Sequence, residues 1–208
     1  MGMYGHLRRA SVADGERLRA EPALVTPFLY GEPLEKPKST GGLFGWLKRL
    51  SPISGVVNDP DVDVRPEAAK GAVWPPASDG EELDLDKAWH GLHFLFTGRA
   101  DGGPEPACFV LEGGEEVGDD GDGEPIARML SADQVRRFSA FLSGLSRGEL
   151  ESRFDAARMT ELEIYPDVIW ERDAREETAE WLLAIWEALR DFMAEAARRG
   201  EVVVVAVS

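Results

Sequence analysis

The stretch Leu83-Asp-Leu-Asp-Lys-Ala-Trp-His-Gly-Leu-His-Phe-Leu-Phe-Thr-Gly98 gathers two of the chain's three histidines and one tryptophan into one apolar run, opened by acids and closed by glycine. Leu85, Ala88, Trp89, Leu92, Leu95 and Phe96 recur at helical spacing, which predicts one amphipathic helix over residues 83 to 98. Asp84 or Asp86 would stand near its N-cap, and Gly98 would end it. Positions 86, 90, 93 and 97 then share one side. On that side Asp86, His90 and His93 converge, and imidazole nitrogens with a carboxylate suit a divalent metal. The spacing is not the His-Glu-x-x-His of zinc-binding helices, and the helical phase leaves His90 closer to solvent than His93. A hydrogen-bonded, structural role for the histidines is the plainer reading.

Working outward, residues 2 to 10 read as a first strand. Ser11, with Asp14 and Glu16 behind it, marks a helix start. Pro22 and Pro27 break the next stretch into two short helical pieces whose apolar side is Leu24, Val25, Phe28 and Leu29. From about 31 to 80 the composition turns to Pro, Gly, Ser and Asp, an insertion by its character. Inside it Leu43, Trp46, Leu47 and Leu50 suggest a short helix over 42 to 50. Lys48 and Arg49 open a membrane-surface reading of it, against the simpler one of a helix covering the domain's own core.

Cys108 to Leu111 reads as a buried strand, and the acidic, glycine-rich stretch Glu112 to Glu124 as an exposed loop. Asp120, Asp122 and Glu124 alternate as calcium ligands would, but Pro125 and Ser131 occupy the positions where an EF-hand needs glycine and glutamate. Ser131 and Gln134 form a capping box for a helix to about Leu145, with Val135, Phe138, Phe141, Leu142 and Leu145 as its stripe. A short helix follows from about Leu150 to Met159, then a turn at Tyr165-Pro166. The longest helix runs from near Asp173 to Arg199, its core face Leu182, Ile185, Trp186, Leu189, Phe192, Met193 and Ala196. Val202 to Val207 is too apolar for an exposed strand and belongs inside a sheet beside strand one.

Several of these blocks carry a resemblance: Met1-Gly-Met-Tyr-Gly-His-Leu-Arg-Arg-Ala-Ser11, the 83 to 98 stretch, Ala127-Arg-Met-Leu-Ser-Ala-Asp-Gln-Val135, Arg153-Phe-Asp155, and Glu163-Ile-Tyr-Pro-Asp167 followed by Trp170. In content and order they resemble the YfbM-like bacterial proteins over roughly residues 1 to 30 and 83 to 207. The resemblance implies a mixed helix and strand domain without an assigned catalytic residue or activity. It does not reach the middle of the chain.

With 208 residues, 43% of them hydrophobic, the chain suffices for one domain with a sizeable core. A formal net charge of −16, from 39 acidic and 23 basic residues, disfavours nucleic acid, whose phosphates call for Lys and Arg. It admits a basic protein partner, although acidity also serves solubility. One cysteine, Cys108, rules out an internal disulfide framework and fits a reducing, cytoplasmic setting. The start lacks a basic and then apolar leader, and no stretch reaches the ~20 apolar residues of a membrane span.

Nucleophilic and nucleotide-binding motifs are not found, and Cys-Phe-Val-Leu around Cys108 reads as core rather than as a reactive thiol. No cofactor is implied. Trp89, His90, His93, Tyr165 and Trp170 are the candidate walls and polar tips of a ligand pocket, though the same residues suit a core. The expectation is a single α+β domain with an insertion at about 31 to 80, in which a small sheet holding the first and last strands packs against several helices. Its expected role is a non-catalytic cytoplasmic binding protein, in one version an immunity-type protein blocking a basic effector. The alternative is a small-molecule or metal-binding enzyme using Trp89, His90 and His93.

Overall fold

Val202 to Val207 carries no polar residue because both of its faces are covered. This strand, β5 (Val202–Val207), is the central strand of a five-stranded sheet. A computed structural model describes residues 2–31, 74–119 and 125–208. The helix expected at 42 to 50, with its membrane-surface reading, and the acids Asp120, Asp122 and Glu124 lie outside the described residues.

The chain enters the sheet at β1 (Gly5–Ala10), and Ser11 then caps α1 (Val12–Ala20) by accepting from the Asp14 N–H. A 3-10 turn, Pro22–Leu24, leads into α2 (Val25–Tyr30), the expected broken pair. Strand β2 (Glu82–Asp86) precedes α3 (Trp89–Thr97), and β3 (Glu115–Val117) forms a hairpin with β4 (Ala127–Leu130). Four helices follow: α4 (Ala132–Gly144), α5 (Arg147–Arg153), α6 (Ala156–Glu161) and the long α7 (Arg175–Arg199) before β5. The strand order is β2-β1-β5-β4-β3 with every pair antiparallel, so the first and last strands are neighbours, Leu7 facing Val205. The fold is α+β, with the long helix directly before the last strand.

The period of two in β5 sorts its side chains between two cores. Val203 and Val205 join Leu7, Leu130 and the apolar faces of α3, α4 and α7, while Val202, Val204 and Ala206 join Met129, Leu18, Phe28 and Trp74. Strand β1 alternates in the same way. Its buried arginines show the two sides: Arg8 donates to the carbonyls of Phe28 and Pro75 and lies over the Phe28 ring, whereas Arg9 pairs with Glu195 at 3.8 Å and Glu201 at 3.6 Å. Trp74, 8% exposed, meets Phe28 edge-on at 5.2 Å, so the chain packs onto the fold at that residue although the composition around it reads as loop.

Four local readings need correction. The stretch Glu112 to Glu124, read as an exposed loop, holds β3, which pairs with β4 and buries Val117. The helix expected over 83 to 98 is a strand followed by a shorter helix. Glu82-Leu-Asp-Leu-Asp86 alternates with the period of a strand, and the open edge of β1 takes it up, Leu7 opposite Leu83. Neither Asp84 nor Asp86 caps a helix; the Asp84 carboxylate accepts from the Asp86 N–H at 2.6 Å, a side-chain turn, and Asp86 adopts a left-handed backbone with φ 49°. Cys108 to Leu111 is a buried 3-10 turn, Ala107–Val110, closed locally by Phe109 N–H to Pro106 O at 3.2 Å and Leu111 N–H to Cys108 O at 3.0 Å. A short apolar run does not separate strand from helical turn. The helix expected over 150 to 159 is two helices, because buried Phe154 is extended and Asp155 caps α6 through the Arg158 N–H at 3.0 Å. Among the described residues no helix is long and apolar enough to cross a membrane.

Candidate functional site

The N-terminal end of α3 lies where β1, β2 and the 162 to 170 loop meet, and glycine allows the approach. A Cβ on Gly91 would stand 2.9 Å from both the Trp170 ring and the Leu182 side chain, and one on Gly5 would stand 2.9 Å from the Trp89 Cβ. Helix α3 is thereby pressed between α7, Trp170 and the sheet.

His90 ties this junction together. Its Nδ1 accepts from the Tyr165 N–H at 2.9 Å, which leaves the proton on Nε2 to be donated to the Ala100 carbonyl at 2.7 Å. Burial lowers its pKa, against the opposing effects of the Ala100 carbonyl and Asp101. The Trp89 ring stacks on His90 at 4.9 Å and on Tyr165 at 5.6 Å. Both aromatic tips return to the N-terminal segment: the Tyr165 hydroxyl accepts from the Met3 N–H at 2.9 Å, and the Trp89 indole N–H points to the Met3 carbonyl at 3.4 Å. Trp170 does not open onto this wall. It is buried, and its indole N–H is given to the Ile164 carbonyl at 2.5 Å.

His93 looks the other way and is 0% exposed. Neither ring nitrogen makes a hydrogen bond of ordinary geometry, the Gly102 backbone offering only a loose contact. Burial first and the neighbouring His90 second lower its pKa, which Glu112, Gly102 and Asp101 only partly oppose. Nearby Cys108 is buried, and desolvation, then Glu112, push its thiol pKa up, the opposite of an activated nucleophile. Arg128 lies under the same turn, donating to Gly113 O at 2.8 Å and Val110 O at 3.1 Å, with its pKa brought down by burial to about 10.

The structure therefore assembles Trp89, His90 and Tyr165 into one unit, while His93 and Trp170 sit in the core on either side of it. Asp86, at the end of a strand, loses the helical premise that joined it to the histidines. Among the described residues no group of three His, Cys, Asp or Glu side chains is placed to hold a metal ion.

Sequence reasoning missed the surface outside this unit. Met3, Tyr4 and Val168 are exposed large apolar side chains, Val168 at 61%. The Lys87 ammonium stands 5.5 Å from the Tyr4 ring centre, and an open groove of about 380 Å³ runs from Asp86 and Lys87 past Pro166, Val168 and Ile169 to Arg172 and Trp181. One signal was available: Lys87 interrupts an acidic run, and it is the only lysine among the described residues.

Comparison with known proteins agrees with this fold. The curated Escherichia coli (strain K12) protein YfbM is 31% identical over 94 residues, 44% of this chain and 55% of YfbM, so the match spans about half of that relative. The crystal structure of YfbM from Escherichia coli, titled a protein of unknown function, superposes with a TM-score of 0.55 at 18% identity, covering 99% of both chains, which is likeness of fold. The family described as domain of unknown function (DUF1877) matches residues 1–206, and the chain belongs to it.

Proposed function

We propose that this protein is a non-catalytic binding protein acting in the cytoplasm, and that it recognises a basic protein partner through the face formed by Met3, Tyr4, Lys87 and Val168. The observation that carries the reading is the use of His90. Both of its ring nitrogens are engaged in backbone hydrogen bonds that brace the Trp89 and Tyr165 wall directly behind exposed Met3. Rigid aromatic support beneath exposed apolar side chains is the arrangement of an interface centre.

The rim supports the sign of the partner. Glu163, Asp167 and Glu171 are exposed around Val168 and have no ion-pair partner among the described residues. With the net charge of −16 they would steer a cationic surface toward this end and accelerate association. An immunity-type role against a basic effector is the specific form this reading takes. The single buried cysteine supports the reducing compartment.

The test is capture from native lysate at moderate salt, comparing the tagged protein with a Tyr4→Ala/Val168→Ala double variant and a charge-matched acidic control. A stoichiometric basic partner retained by the first and lost by the other two is the expected result. Equal retention by the double variant would overturn the assignment of the face.

A further inference from the structure

The groove beside Lys87 holds an unusual pair of charges. Arg172 is neutralised within it by a bidentate contact to Asp173, at 2.7 and 3.0 Å. The carboxylate of Asp86 and the ammonium of Lys87, both on half-buried residues, have no ion-pair partner among the described residues and are not bridged to each other, the Lys87 ammonium resting over the Tyr4 ring at 5.5 Å. Asp86 adopts a left-handed backbone, φ 49°, which Asp and Asn tolerate and which the turn closed by the Asp84 carboxylate sets. Opposite these charges lie Pro166, exposed Val168 and half-buried Trp181, whose indole N–H makes no hydrogen bond among the described residues. The groove is open to solvent, with a volume of about 380 Å³.

From this we infer that the groove binds a free hydrophobic α-amino acid as its zwitterion. The ammonium pairs with Asp86, the carboxylate with Lys87, and the apolar side chain lies against Val168, Pro166 and Trp181. Two opposite charges at adjacent residues match a ligand that carries both charges on one carbon. A simple carboxylate leaves Asp86 uncompensated, a simple amine leaves Lys87, and a phosphate is repelled by Asp86. The inference does not depend on a protein partner being found, although the groove shares Lys87 and Val168 with the face proposed for one.

The test is titration of the isotope-labelled full chain, following the Trp181 indole resonance, assigned by its loss in Trp181→Phe. The probes are L-phenylalanine, 3-phenylpropionate, which lacks the amine, and phenethylamine, which lacks the carboxylate. A saturable shift with L-phenylalanine and about tenfold weaker binding of either analogue are expected. In Asp86→Asn, L-phenylalanine and 3-phenylpropionate should bind alike; in Lys87→Gln, L-phenylalanine and phenethylamine should. Asparagine tolerates the left-handed backbone, so the first variant keeps the fold, and unchanged resonances away from the groove verify both. No saturable shift in the folded wild type, equal binding of all three probes, or an analogue preference indifferent to both substitutions would overturn the proposal. Lysate capture is read separately, so either proposal can fail without the other.

Discussion

His90 connects α3 to Ala100 and to Tyr165, and its loss would leave two backbone groups without their partner. At about 1 kcal/mol net for each hydrogen bond, His90→Ala is expected to lower unfolding stability by ~2 kcal/mol in urea denaturation, with helical circular dichroism retained. His93 adds a pH dependence. Its folded-state pKa, like that of His90, lies below the ordinary 6.5, so beneath that pH the unfolded chain binds protons that the folded chain does not. Stability is therefore full above about pH 6.5 and is lost as pH falls through the lowered folded-state values. Urea midpoints measured between pH 7 and pH 5 should show this decline, and it should flatten in His93→Leu; an unchanged slope would remove His93 as its source. The helical phase made legible that His90 is nearer solvent and His93 interior. What each ring touches was not legible, because Ala100 and Tyr165 reach His90 through the tertiary fold.

Elements with strong local signals are where the sequence prediction and the structure agree. The Ser131 and Gln134 capping box opens α4 as its residues dictate, each side chain bonded to the other's backbone. Ser131→Ala is expected to cost about 1 kcal/mol, read from a shifted urea midpoint. The apolar run of β5 identified it as interior, and the stripe of α7 named most of the residues it buries, though Ile185 is only half-buried and buried Ala179 and Leu183 fell outside it. Agreement ends where two periods compete. In Glu82 to Asp86 the alternation of acids with leucines is a strand pattern spliced onto a helix, and only the unpaired edge of β1 resolves it. Trp74 is a related case: a loop-like composition hides a side chain that the second core requires. Trp74→Ala should cost about 3 kcal/mol, a large-to-small loss that a truly unpacked loop residue would not show.

For the chain as a whole, charge and topology act together. The sheet buries both faces, which commits most apolar residues to two cores; Met3, Tyr4 and Val168 are among the few large ones left exposed in the described residues, with Val12 and Tyr30. The α+β fold, the adjacency of the terminal strands and the central position of β5 were all legible as patterns of burial. The proposed recognition face was not, since it is composed of single residues from the first few positions, the β2 to α3 junction and the 162 to 170 loop, which no periodicity links. Hydrogen-deuterium exchange of the purified chain with and without its captured partner tests that face most directly. Slowed exchange at Met3 and Tyr4, at Lys87 to His90 and across 163 to 169, with α1 and α2 unchanged, is the predicted result. Slowing confined to α1 and α2, on the opposite side of the sheet, would contradict it.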